Sequence, residues 1–424
     1  MNENVAVGTV STAPIDRGGG MLIRSTLAQN VGTGCAFGGL GVSILAFRDH
    51  FHASLGTAAM ALSLVVLSMT APGPLMGGII ARWGLRAVMS FGVLTSMVGY
   101  LALALAPNIP VALAACVLLI GPGAALFAAL PPAILASGWY PNARGRAMGI
   151  TYLPVFSTVL PILGLAIIQR FGLTSFYLFL AVLHLCLMPL VLSVTEPPSE
   201  AAPAQDAVIQ HAVGPSQKVL MSGVFWLIMV GDGILNGTAV AGGAHTLPVV
   251  TEHGVSMSVG AVLLSVSGGA SIVGSLLAGY ACDRIGAARS LFLASLGFAT
   301  AWALFAVSGW LSALTVSAVL IGVCGAAVFP PISALAIQIY GIEALPRVLG
   351  LLGVLTLPFT FAMSPAAGWL HDISGNYKAV SFGLTFMCAM AAAIFFWIGW
   401  LPGRNVLGSQ VKSGATSSTS RVAQ

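Results

Sequence analysis

The chain has 424 residues, of which 58% are hydrophobic and only 6% charged, with a mean hydropathy of +0.98. A water-soluble globular chain carries about 25% charged residues, so a water-facing surface is excluded and lipid must solvate most of the chain. The formal net charge of +5 is spread over short connections and not gathered in one patch, which excludes a nucleic-acid partner.

A helix needs about 20 apolar residues to cross a bilayer. By that measure the sequence predicts twelve spans, at 23–47, 56–80, 85–106, 109–137, 146–169, 173–194, 220–247, 256–281, 288–308, 311–339, 347–371 and 378–401. The runs are continuous and not alternating, so a β-barrel is not expected. Residues 1–20 form a polar, Gly-rich tail without the pattern of a cleavable signal. A first six-helix unit follows over 21–195, then a Pro-rich polar loop over 196–218. The second six-helix unit covers 219–402, and a Ser/Thr/Gly-rich tail over 403–424 is expected to be disordered. The six cysteines are scattered singly and show neither metal-ligand spacing nor a disulfide framework.

With a cytoplasmic N-terminus, the inner segments hold Arg17, Arg24, Arg82, Arg86, Arg144, Arg146, Lys218, Arg284, Arg289, Arg347, Arg404, Lys412 and Arg421. The outer segments hold only Arg48, Arg170 and Lys378, so thirteen of the sixteen basic residues lie on one side. Excess Lys and Arg marks the cytoplasmic side of a membrane protein. The expected topology is a multi-pass protein of the cell membrane with both termini inside.

The two halves repeat at an offset of about 200 residues. Gly77-Gly78-Ile79-Ile80-Ala81-Arg82-Trp83-Gly84 follows the second span, and Gly279-Tyr280-Ala281-Cys282-Asp283-Arg284-Ile285-Gly286 follows the eighth. Pro131-Pro132 in the fourth span, with Trp139-Tyr140 and Arg144-Gly145-Arg146 after it, corresponds to Pro330-Pro331, Ile339-Tyr340 and Pro346-Arg347. Gly34 through Gly38-Gly39 in the first span corresponds to Gly237 through Gly242-Gly243 in the seventh.

This pattern, six spans plus six with Gly-x-x-x-Asp-Arg-x-Gly after spans two and eight, resembles the major facilitator superfamily over roughly residues 20–402. The resemblance implies an all-α membrane fold of two pseudo-symmetric six-helix bundles that works as a transporter. The first-half motif departs from the family at Ala81, where an Asp is usual. Trp139-Tyr140, Arg144-Gly145, Ala147 and Gly149 are similar to the entry to helix five in the monocarboxylate and oxalate/formate branch. That likeness implies a small organic acid as substrate, moved with a proton or by exchange, by a carrier acting as a monomer. The membrane-embedded cations expected in helices eight and eleven of that branch are missing here.

The candidate gating residues are Arg82, Arg86, Arg146, Asp283, Arg284 and Arg347, whose charges could bond across the ends of the bundles in one state of the transport cycle; otherwise the basic loops only set topology. Asp232, in Gly231-Asp232-Gly233, is the one acid well inside a span. A carboxylate in hydrocarbon is costly unless paired or hydrated, so it should face the interior and could carry a proton; the alternative is a carboxylate that caps a break at its flanking glycines. His245 on the same span could take part in proton coupling or anion binding, or sit hydrogen-bonded at the rim. Asn30, Tyr152 and Asn236 are candidate hydrogen-bonding contacts to substrate, with interhelical bonding as the alternative, and Phe37 and Phe359 could shape the cavity or simply pack. His184, Thr356 and Thr360 are weaker candidates, for which packing is the default.

No Gly-rich phosphate loop, nucleophile motif or metal cluster is present, so no cofactor, direct use of ATP or enzymatic activity is expected. Efflux of amphipathic or cationic compounds, with Asp232 as counter-charge, is the alternative transport function. A non-transporting sensor of the same fold would need a signalling domain that the short central loop and tail cannot hold.

Overall fold

Lipid offers a backbone no hydrogen-bond partner, so the apolar runs close their own bonds as helices. The computed structural model describes residues 15–140, 144–197, 217–340 and 344–400, and no strand occurs among the described residues. Among the described residues ten helices are long and apolar enough to cross a membrane, and an eleventh is reached where Leu55–Thr70 bends by 64° into the helix that follows it. The longest of the ten, Ala147–Leu192, has 46 residues. Such a helix would be about 70 Å long, more than twice the ~30 Å hydrocarbon layer. Gly172, at φ +84°, breaks it into two; that conformation is open to glycine and strained for residues with a Cβ. With this division the chain has the twelve spans its sequence predicts.

In chain order the first half has α1 (Gly18–Phe51), α2 (Leu55–Thr70 with Gly73–Trp83), α3 (Leu85–Ala104), α4 (109–139), α5 (144–171) and α6 (173–192). The second half has α7 (Gly223–Glu252), α8 (Met257–Ile285), α9 (Ala287–Val307), α10 (Leu311–Tyr340), α11 (345–374) and α12 (Tyr377–Trp400). Helical structure begins at Ile15, so part of the expected N-terminal tail belongs to the helix leading into α1. The expected loop and tail over 198–216 and 401–424 lie outside the described residues.

Several spans are broken, each where the sequence gives a reason. α4 carries two π-helical turns, Cys116–Ile120 and Ala125–Ala129, beside Pro122 and ahead of Pro131-Pro132, whose nitrogens cannot donate. α5 breaks at Tyr152–Pro154, α10 at Ala327–Val328 and α11 at Thr356, just before Pro358.

The bundles meet chiefly along three helix pairs, α1 with α7, α2 with α11, and α5 with α8. Glycine makes these approaches possible. A Cβ on Gly41 would lie against the Gly243 carbonyl, and one on Gly368 would strike the Gly56 backbone. Gly41 and Gly243 are 202 residues apart, so α1 and α7 cross at equivalent points of the repeat. The α2–α11 approach closes the end of the molecule opposite the basic loops. Toward the basic loops the halves part, and Gly78, Gly279, Gly350 and Gly353 have no neighbour within 4 Å of where a Cβ would be.

Candidate functional site

Between the halves lies a cavity of about 680 Å³ whose walls come from α1, α2, α5, α7, α8, α10 and α11. On α1 it is lined by Gln29, Thr33 and Phe37, and on α7 by Asp232, Asn236, Val240 and Gly243. Both sets recur at about one turn of helix, so each is a stripe on one face. The breaks in α5, α10 and α11 all open on this space, through Tyr152 and Pro154, through Val328 and Phe329, and through Thr356. Irregular backbone at membrane depth is tolerated where it lines such a cavity.

Asp232 is 7% exposed and is the one carboxylate on the cavity wall. Asn236 lies one turn further along α7 and donates its Nδ2 to Asp232 Oδ1 at 2.8 Å and to the Asp232 carbonyl at 2.9 Å. The carboxylate is thus held against its own helix by a neutral partner, with its second oxygen free of that bond. No Lys, Arg or His lines the cavity among the described residues. Tyr152 also lines it, and its hydroxyl donates to the Ala129 carbonyl at 2.9 Å, at the end of the second π turn of α4.

Of the seven residues singled out in the sequence for substrate or proton binding, the cavity brings together Phe37, Tyr152, Asp232 and Asn236. Asn30, His245 and Phe359 lie elsewhere. Asn30 is buried, donates Nδ2 to the Thr26 carbonyl at 2.9 Å, and accepts the Phe156 N–H at 3.1 Å. It therefore ties α1 to α5 just past the Pro154 break, where Ser25 and Thr151 hydroxyls also meet at 3.0 Å. His245 is fully buried near the closed end, with Nδ1 2.7 Å from the Tyr377 hydroxyl and Nε2 2.8 Å from the Ser364 carbonyl. Phe359 packs on α7 over Gly233 and Gly237. His184 is buried between Tyr100 and Phe127, its Nδ1 2.8 Å from the Leu180 carbonyl.

Arg82, Arg86, Asp283 and Arg284 are exposed at the parted end, and no ion pair joins them among the described residues. The Arg284 guanidinium lies 5.2 Å from the Tyr280 ring centre, a cation–π distance. Arg146 and Arg347 fall outside the residues whose side chains are described. Where Ala81 replaces the usual acid, Glu196 takes a nearby position: its Oε1 accepts the Leu85 N–H at 2.7 Å, at the N-terminus of α3.

The closed end holds contacts the sequence reading did not single out. Asp372, near the end of α11, accepts the Leu55 and Gly56 N–H groups of α2 at 3.2 and 3.0 Å. A carboxylate thus caps a helix N-terminus across the two bundles. Glu252 accepts the Tyr377 N–H at 2.9 Å, and its other oxygen lies 3.0 Å from His371 Nε2. Gln29, beside Asn30 in sequence, was also missed, although Gln29, Thr33 and Phe37 share a four-residue spacing that marks one helix face.

Twelve helices in two repeated bundles, joined around a cavity that opens at one end, define a membrane transporter fold. A family profile described as the Major Facilitator Superfamily matches residues 27–270 and 233–420. The chain belongs to that superfamily. No curated protein matches it in sequence. Among solved structures it is similar to the xylose transporter XylE from E. coli in a partially occluded inward-open conformation, with a TM-score of 0.69 at 14% identity over 92% of this chain and 100% of that one. It is also similar to a single-substitution mutant of the nucleoside transporter NupG, with a TM-score of 0.72 at 12% identity over 89% and 99% of the two chains. A POT family transporter in complex with 5-aminolevulinic acid gives a TM-score of 0.69 at 12% identity, over 90% and 95%. At these identities the likeness is one of fold.

Proposed function

We infer that the protein is a secondary active transporter that works by alternating access and moves a small monocarboxylate together with a proton. The observation that carries the reading is Asp232, a buried carboxylate on the wall of a cavity lined by no basic side chain among the described residues. If Asp232 is ionised in the empty carrier and protonated in the loaded one, an entering anion and proton leave the net charge of the site unchanged. The bundles then rock in both states without moving extra charge through a low dielectric. The helix-five motif from Trp139 to Gly149 supports the organic-acid class. The reading includes a monomeric carrier in the cell membrane with both termini cytoplasmic, supported by the excess of basic residues at the parted end. Closing that end would bring the exposed Arg82, Arg86, Asp283 and Arg284 within reach of new partners, with Arg146 and Arg347 on the same face of the membrane.

The test is uptake of labelled monocarboxylates into proteoliposomes with and without a pH gradient. An acidic exterior should raise uptake by the wild type. Asp232→Asn should lose gradient-driven accumulation and keep solute exchange. Gradient-driven accumulation unchanged in Asp232→Asn removes that residue from coupling, and failure to move any monocarboxylate rules out the substrate class.

A second reading has its own observation. A lone carboxylate in a cavity without cations also suits an amphipathic organic cation, for which Asp232 is the counter-charge and a proton the competitor. Uptake would then rise with an acidic vesicle interior, the opposite sign from symport.

A further inference from the structure

The cavity wall is mostly supplied with polar groups whose hydrogen-bonding donors are already engaged. Thr33 donates to the Gln29 carbonyl at 2.8 Å, Tyr152 to Ala129, and Asn236 to Asp232. Ser271, Thr356 and Thr360 each donate to a carbonyl of their own helix. The Ser157 and Ser267 hydroxyls also line it without such a bond among the described residues, and the Gln29 carboxamide is the amide of the wall left unpaired. Gln29 lines the cavity and is 6% exposed, yet its Oε1 is buried with no hydrogen-bond partner, and its side chain forms no hydrogen bond among the described residues. A buried amide left unpaired costs about 1–3 kcal/mol, and such groups in folded proteins call for an explanation. The Gln29 Nε2 is unbonded as well, and a solute taken up by the cavity can accept from it.

The position of Gln29 is as informative as its unpaired state. α1 and α7 cross at Gly41 and Gly243. Gln29 precedes its crossing residue by twelve positions and Asp232 precedes its own by eleven, as counted along the chain. At 1.5 Å per residue the two lie about 18 and 16 Å from the crossing. They therefore stand at nearly one depth, on opposite bundles, in the walls of one cavity. Asn30 is the closer equivalent of Asp232 by the repeat offset, but its side chain is occupied in holding α5.

We propose that Gln29 is a solute-binding residue, whose carboxamide holds the carboxyl group of the transported acid on the α1 wall opposite Asp232 and Asn236. The assignment of a carboxyl group rests on the organic-acid reading above; the role of Gln29 as a solute contact does not. An ionised carboxyl group only accepts hydrogen bonds, so it is the Nε2 donor of the carboxamide that can hold it. Where no basic side chain lines the cavity, an anion must be met by neutral donors, and the Nε2 of Gln29 is one not spent on the protein. Division of labour follows: Gln29 positions the acid on the first bundle, and Asp232 handles the proton on the second. Binding to both walls also gives the solute a hold on each bundle, so that its presence can favour their closing around it.

The experiment compares wild type, Gln29→Leu and Gln29→Glu in proteoliposomes against a panel of monocarboxylates, neutral polar solutes and organic cations, after melting in detergent confirms that each variant is folded. Gln29→Leu keeps the size of the side chain and removes its hydrogen-bonding amide. It should raise KM for the transported solute about tenfold or more, with kcat held within a few-fold. Gln29→Glu keeps the shape and converts the donor into an anion, so it should weaken a carboxylate further than Leu does. An unchanged KM in folded Gln29→Leu overturns the proposal. If the wild type moves only a neutral solute or a cation and Gln29→Leu still raises its KM, the organic-acid reading fails and Gln29 stands as a solute contact. For a cation, Gln29→Glu should then lower KM.

Discussion

Gln29 and Asn30 are neighbours in sequence and about 100° apart around α1, and that rotation separates a cavity residue from a structural one. Asn30 spends both ends of its amide on the protein, bonding Thr26 and the Phe156 N–H beside the Pro154 break. Replacing it with Ala leaves a partly buried N–H without its acceptor, a loss of about 1–3 kcal/mol. The expected result for Asn30→Ala is a lower Tm in detergent with KM unchanged among the folded molecules. A shifted KM at unchanged Tm would instead make Asn30 a solute contact. The sequence exposed both residues as polar groups within an apolar run, which is why Asn30 was legible as unusual. It could not show which amide faced the cavity, because that depends on how α1 is rotated against α5 and α7. The same holds for His245: its position in α7 was plain, but its satisfaction by Tyr377 and Ser364 depends on helices more than a hundred residues away.

At the scale of the helix, the closed end is held by an arrangement resembling the loop motif at the other end. Gly368-Trp369-Leu370-His371-Asp372 places a glycine against α2 and, four residues on, a carboxylate on the α2 N-terminus. The glycine lets the backbones touch, and the acid meets two N–H groups at the positive end of a helix. Trp369 fills the space over Gly56. Hydrogen bonds to a charged group contribute about 1.5–3 kcal/mol, which corresponds to a ratio of roughly 10–100 between two states. Asp372→Ala should therefore shift the carrier toward the state open at this end. Spin-label distances between the ends of α2 and α11 should gain a longer population, and an unchanged distribution would show that the apolar packing alone keeps this end shut. Breaks inside the helices were partly legible. Prolines lie at or beside the breaks in α4, α5 and α11, and the division of Ala147–Leu192 falls at Gly172, between the spans predicted at 146–169 and 173–194 from the ~30 Å thickness of the membrane.

For the whole molecule, the internal repeat fixes where the halves meet. Gly41 and Gly243 are equivalent positions in contact, so the pseudo-twofold axis relating the bundles passes near them. A motion about that crossing opens one end as it closes the other, which is what alternating access requires. The basic residues make a further expectation testable. Reporter fusions to either terminus should be active on the cytoplasmic side, and Asn376→Cys, exposed beyond the closed end, should react with a membrane-impermeant thiol reagent applied to intact cells. Labelling only after lysis would invert the topology.

What the sequence determined by itself was the solvent, the span pattern, the duplication and the one acid set deep in a helix. These follow from local physics: apolar length against bilayer thickness, charge excluded from hydrocarbon, and a motif written twice. What only the tertiary structure decided was which polar groups share a space. Helix rotation and crossing points put Gln29, Asp232 and Asn236 around one cavity, gave Asn30 and His245 to packing, and set Asp372 on the far bundle. Those outcomes depend on contacts between residues far apart in sequence, and no pattern along a single helix encodes them.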